Sequence, residues 1–125
     1  MKRRVLIVDD ETSLLFAARQ YLTDRGFEVD CAQEVEEAQA LLANFRFDVV
    51  ITDIRLTELQ GAEGLYVLDF IRHRQLDVPV LVLTAHATAA VEHEARRLGA
   101  QAIFYKPVPL PKLADEISRL SEGRS

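Results

Sequence analysis

The sequence has no tryptophan, one cysteine (Cys31) and one methionine, at its start. A single cysteine excludes an intrachain disulfide framework and fits a reducing compartment. Positive charge is also scarce. Fifteen Lys and Arg stand against 20 Asp and Glu, a net charge of −5. That balance argues against a non-specific nucleic-acid or anionic-membrane surface, both of which need a basic excess. Long hydrophobic runs are missing as well. Met1-Lys2-Arg3-Arg4 followed by Val5-Leu6-Ile7-Val8 imitates an export signal only briefly, because Asp9-Asp10-Glu11 ends the apolar run. No stretch nears the roughly 20 apolar residues that span a bilayer. The expectation is a cytoplasmic protein without membrane contact or direct nucleic-acid binding.

What is present is ample core material. Hydrophobic residues make up 49% of 125 residues, and a chain of this size buries roughly two-thirds of its unfolded surface. No linker, repeat or low-complexity tract divides it, so one domain over 1–125 is expected. Five short apolar runs recur: Val5–Val8, Phe27–Cys31, Val49–Thr52, Val80–Leu83 and Ala102–Tyr105. Most lack polar/apolar alternation, as strands buried on both faces of a parallel sheet do. Phe27–Cys31 does alternate and is expected at an edge.

Between the runs lie segments of helical period. Leu14, Leu15, Ala18 and Leu22 form one stripe, closed by Arg25-Gly26. Ala38, Leu41, Leu42 and Phe45 form a second, and Leu65, Leu68 and Ile71 a third. Val91, Ala95 and Leu98 form the fourth; Leu110, Leu113, Ile117 and Leu120 form the fifth, with Pro111 suited to a first turn. The order is (βα) five times over. Right-handed crossovers make this an α/β, doubly wound, five-stranded parallel sheet with helices on both faces. In doubly wound domains of this length the flavodoxin-like strand order is 2-1-3-4-5, and ligands bind at the carboxyl ends of the strands.

Those ends are chemically uneven. The first strand ends in Asp9-Asp10, the third in Asp53, the fourth in Thr84 and the fifth in Lys106. An acidic doublet after a strand, taken alone, is most often a helix cap or a solvated turn. Four such features on the correct ends of four strands are another matter. Asp9 and Asp10 would face opposite sides of a continuing strand, so both can serve one site only if the chain turns at Asp10. Neighbouring carboxylates repel unless a cation joins them. Oxygen ligands without His or thiolate favour Mg²⁺ over zinc. Such a cation keeps Asp53 ionised, as a nucleophile must be, and Lys106 and Thr84 suit a phosphoryl group.

With these motifs in order, nearly the whole chain resembles the receiver domain of two-component response regulators. Val5–Glu11 is similar to the family's acidic-pocket segment, and Val49–Asp53 to its phosphoacceptor strand, with Gly61 eight residues on. Leu83-Thr84-Ala85 resembles the switch-hydroxyl motif and Lys106-Pro107 the Lys-Pro pair, whose peptide bond is expected cis. The resemblance implies that Asp53 accepts a phosphoryl group from a histidine kinase or histidine phosphotransfer protein. It implies Mg²⁺ bound by Asp10, Asp53 and the Arg55 backbone carbonyl, with Asp9 acting through water. Lys106, Thr84 and the Ala85 amide would contact the phosphoryl oxygens. Phosphorylation would reshape the face of helix four, strand five and helix five for an output domain or downstream protein. Catalysis beyond Asp53's own phosphorylation and hydrolysis is not expected.

The sequence departs from the family at several points. Ile103 stands where an aromatic usually precedes the lysine by three; by alternation Tyr105, not Phe104, shares its face. Thr57 replaces a common proline, and the loop around Gly61-Ala62-Glu63-Gly64 is about three residues longer than usual. Arg55 and His86, each two residues past Asp53 and Thr84, occupy positions that tune phosphoryl lifetime in the family. His73, His93 and the Lys2-Arg3-Arg4 start are read as solvated, and Cys31 as a small buried or edge-strand residue rather than a redox sensor. The alternative function is a receiver-like interaction module that works without phosphorylation. A Mg²⁺-dependent aspartyl phosphatase would carry Asp-x-Asp on the first strand, and a flavin binder a glycine-rich loop after it; neither is present.

Overall fold

The computed structural model describes residues 2–54, 63–74 and 77–122. Arg55, Thr57, Gly61 and Ala62 lie outside the described residues. Among the described residues the elements alternate: β1 (Arg4–Val8), α1 (Thr12–Asp24), β2 (Glu28–Ala32), α2 (Val35–Asn44), β3 (Val49–Thr52), α3 (Glu63–Arg74), β4 (Val80–Thr84), α4 (Ala89–Arg97), β5 (Ala100–Tyr105) and α5 (Leu110–Leu120). The strands form one parallel sheet of order β2-β1-β3-β4-β5. The expected order and the edge position of the alternating strand both hold.

Alternation along the strands divides the apolar residues into two cores. Leu6, Val8, Val50, Val80 and Val82 pack with α2, α3 and α4 on one face. Val5, Ile7, Val49, Ile51, Leu81 and Leu83 pack with α1 and α5 on the other. Both faces being covered is why β1, β3 and β4 read as unbroken apolar runs. β5 begins two residues earlier than its apolar run suggests. Its pairing with β4 slips by one residue: Val80 faces Ala100 and Leu81 faces Ala102, which leaves Gln101 outside the register.

One expected core residue falls elsewhere. α2 ends at Asn44, and Phe45 follows in extended conformation, 42% exposed. The Arg4 guanidinium lies 4.1 Å from its ring centroid, so a cation rather than the core covers the ring. Gly26 and Gly99, which close α1 and α4, both have positive φ, the conformation that favours glycine. Among the described residues no helix is long and apolar enough to cross a membrane.

Candidate functional site

The two-residue period that sorts the core also aims the polar residues at the strand ends. Asp9 continues the phase of Val5 and Ile7, and Asp53 that of Val49 and Ile51. Lys106 continues the phase of Ala102 and Phe104. All three therefore project toward the α1/α5 side of the carboxyl rim. The backbone holds them there: the Asp9 N–H donates to the Ala32 carbonyl (2.9 Å), that of Asp53 to Val8 (3.0 Å) and that of Lys106 to Thr84 (2.8 Å).

The Lys106 ammonium stands 2.7 Å from Asp9 Oδ2 and 3.0 Å from Asp53 Oδ2. Asp9 is 1% exposed and Asp53 5%, so both carboxylates meet the cation largely away from water. Burial holds the Asp9 carboxyl above the usual carboxylate range, against the pull of Lys106 and of the Glu11 N–H. That N–H donates to Asp9 Oδ1 at 2.9 Å. Burial also pulls the Lys106 ammonium down, but its bonds to Asp9 and Asp53 outweigh this and hold it above the usual lysine range. Lys106 is thus a fixed positive charge. The peptide bond that follows it, to Pro107, is cis as expected.

The remaining expected residues are placed less uniformly. The chain bends at Asp10, which leaves the strand and is exposed at the rim. Thr84 follows the phase of Val80 and Val82, toward the opposite face, and is fully buried. Its hydroxyl donates to the His86 carbonyl (3.2 Å) and accepts from the His86 N–H (3.4 Å). The hydroxyl is thereby tied into the turn after β4. Ala85 and His86 are exposed beside it. Ile103 packs against the α2/α3/α4 core and Phe104 against the α1/α5 core, so the two lie on opposite faces. Tyr105 is exposed, and its hydroxyl donates to Glu92 of α4.

Sequence reading put Glu11 in the acidic segment Val5–Glu11 but gave it no role at the site. Its carboxylate lies 3.5 Å from Lys106 Nζ, a third acidic group around one ammonium. The only signal was its place directly after the acidic doublet. His73 and His93 are exposed, as expected.

The donors suit a hard cation. Asp9 and Asp53 offer carboxylate oxygens on one ammonium, and the cluster contains no imidazole or thiolate. Among the described residues, no three His, Cys, Asp or Glu side chains are grouped to hold a metal ion unaided. Mg²⁺ does not need that. It takes one or two carboxylates and fills its shell with water and phosphate oxygens.

A family model described as the response regulator receiver domain matches residues 5–118. Among curated proteins, a response regulator receiver protein of Anaeromyxobacter sp. is 37% identical over 115 residues, covering 90% of this chain and 46% of that protein. The regulatory protein AtoC of Escherichia coli is 36% identical over 110 residues, covering 88% of this chain and 23% of that protein. The chain thus spans roughly a quarter to a half of the length of these relatives. Among solved structures, a CheY-like response regulator receiver domain protein from Methanospirillum hungatei superposes with a TM-score of 0.91 at 28% identity, covering 98% of this chain and 95% of that one. The sequence match and the shared architecture agree over almost every residue, and on them this chain belongs to the response regulator receiver domain family.

Proposed function

We propose that this receiver domain is a phosphorylation-controlled switch of a two-component system, with Asp53 as phosphoacceptor. The observation that carries the reading is the buried Asp53 carboxylate held 3.0 Å from the Lys106 ammonium at the strand ends. One Asp53 oxygen attacks phosphorus in the donor, a phosphohistidine of a histidine kinase or histidine phosphotransfer protein. The P–N bond of the donor breaks as the acyl phosphate forms, and the imidazole leaves with a proton. Such transfer passes through a loose transition state, so positioning and charge neutralisation supply most of the catalysis. Lys106 neutralises a phosphoryl oxygen, and the Thr84 hydroxyl and Ala85 amide donate to others. Thr84 must exchange its bonds to His86 for that contact.

Asp10, Asp53 and the Arg55 carbonyl would hold Mg²⁺, with Asp9 acting through water. When bound, the ion neutralises charge on the phosphoryl oxygens and the acidic cluster. His86 and Arg55 govern how readily water reaches the acyl phosphate. The switch then acts through α4, β5 and α5; Thr84 pairs with Tyr105 of β5, whose hydroxyl donates to Glu92 of α4, and an output domain or downstream protein reads the change. With Ile103 in the usual aromatic position, the coupling runs without a ring there.

Intact-protein mass after mixing with Mg²⁺ and acetyl phosphate tests the reading. One added phosphoryl group is expected, lost on chelation of Mg²⁺ and absent in Asp53→Asn. No adduct, together with no binding of beryllium fluoride as a hydrolysis-proof mimic, would replace this reading with an interaction module that works unphosphorylated.

A further inference from the structure

The end of the sheet opposite the acidic cluster carries a second concentration of charge, of the other sign. Lys2 and Arg3 lead into β1, Arg25 closes α1, and Ser118 lies near the end of α5. Together with Gly26, Phe27 and Ala114 they line a cavity of about 330 Å³. No acidic residue lines it. The neighbouring Arg4 shows how the fold treats a cation meant to be neutralised. Its Nε lies 2.8 Å from Asp30 Oδ2 and its side chain stacks on Phe45. By contrast, Lys2, Arg3 and Arg25 form no ion pair among the described residues, although acidic residues outnumber basic ones by five in the chain.

Two of the three cations are positioned by neutral groups. Arg3 Nη1 reaches the Ser118 carbonyl (3.5 Å) and the Ser121 hydroxyl (3.4 Å) on α5. Arg25 lies over the Tyr21 ring, 4.8 Å from its centroid, and donates to the Tyr21 hydroxyl. Those contacts orient the guanidinium groups without cancelling their charge. Three like charges around one cavity repel, a cost that a multiply charged anion removes. Phe27, nearly buried, and Ala114 form an apolar wall, and the Ser118 hydroxyl adds a neutral donor.

We propose that this cavity is a binding site for a compact polyanion bearing two or more phosphoryl or carboxylate groups. The site lies at the opposite ends of the strands from Asp53 and shares none of its residues. It revises the reading of Lys2 and Arg3 as merely a solvated start to β1.

The test is an amide NMR titration of the full chain, without Mg²⁺, using pyrophosphate and citrate as probes and acetate as a monovalent comparison. Saturable shifts centred on Gly26, Phe27, Ala114 and Ser118 are expected, with an apparent Kd of about 1 mM or tighter for at least one probe. Stronger binding of pyrophosphate would assign a phosphoryl ligand, and stronger binding of citrate a carboxylate one. Lys2→Gln with Arg25→Gln, both at exposed positions, should weaken binding at least about tenfold, the scale of lost charge-assisted hydrogen bonds. Arg74→Gln, on α3, should leave it unchanged. Shifts that never saturate, that centre elsewhere, or that survive the double substitution would overturn the proposal.

Discussion

A largely buried ammonium that touches two buried carboxylates cannot be removed without depriving both of a charged partner, and Lys106 is in that position. Lys106→Gln should therefore cost roughly 3 kcal/mol at neutral pH in the absence of metal. Asp9 already binds its proton more readily than an ordinary carboxyl, because burial raises it. Loss of Lys106 raises it further. A carboxyl with a raised folded-state value gains relative stability as pH falls through that value, so the deficit should shrink in urea unfolding at pH 5. A deficit equal at pH 5 and pH 7 would sink this account. Cys31 offers an independent check on burial at the sheet edge. Burial raises its thiol, opposed by Arg19 and aided by Asp30. Alkylation at pH 8 should accordingly run slower in the folded protein than in urea; equal rates would mean an open, ordinary thiol. At this scale the strand-end residues Asp9, Asp53 and Lys106 were legible because strand phase alone brings them together. The Glu11 contact and the Thr84 bonds to His86 were not, since they depend on a side-chain rotamer and on a turn that no periodicity encodes.

Between elements, the Arg72 side chain performs a task that no pattern announces. From the last turn of α3 its Nε donates to the Leu98 carbonyl at 2.9 Å, Nη2 to Gly99 at 3.2 Å and Nη1 to Val78 at 3.2 Å. It thereby ties α3 to the end of α4 and to the entry of β4. A methyl group on Gly99 would stand 2.8 Å from Arg72 Nε, whereas one on Gly26 would meet open space. Both glycines have positive φ, so alanine at either pays about 1 kcal/mol of backbone strain. Gly99→Ala should cost clearly more, because it also displaces Arg72, and the excess should vanish in an Arg72→Ala background. Equal unfolding midpoints for the two alanine variants would count against the clamp. Element boundaries were legible where burial on both faces wrote an apolar run, as in β1, β3 and β4. They failed where local geometry intervened: α2 stops at Asn44, so Phe45 leaves the helical stripe and lies against the Arg4 guanidinium, and the slipped register hides Ala100 and Gln101 from any alternation.

For the molecule as a whole, β1 and β3 lie in the middle of the sheet and pair in unbroken register on the sides described, while β5 carries one residue more than β4 can match. The site is therefore assembled from strands of unequal tolerance to length. Deleting a residue from a strand interior moves everything beyond it by about 3.3 Å and onto the other face. In β3, loss of Ile51 would turn Asp53 away from Lys106, and in β1 loss of Ile7 would do the same to Asp9. In β5 the first half holds slack. Removing Gln101 should let Ala100 run straight into Ala102 with Ile103 through Lys106 left where they are. A Gln101 deletion should thus remain folded and keep its capacity for beryllium fluoride, while an Ile51 deletion should lose both, as circular dichroism and fluoride binding would report. The same slack makes the start of β5 a place within the described sheet that can gain or lose a residue without disturbing the placement of the charged rim.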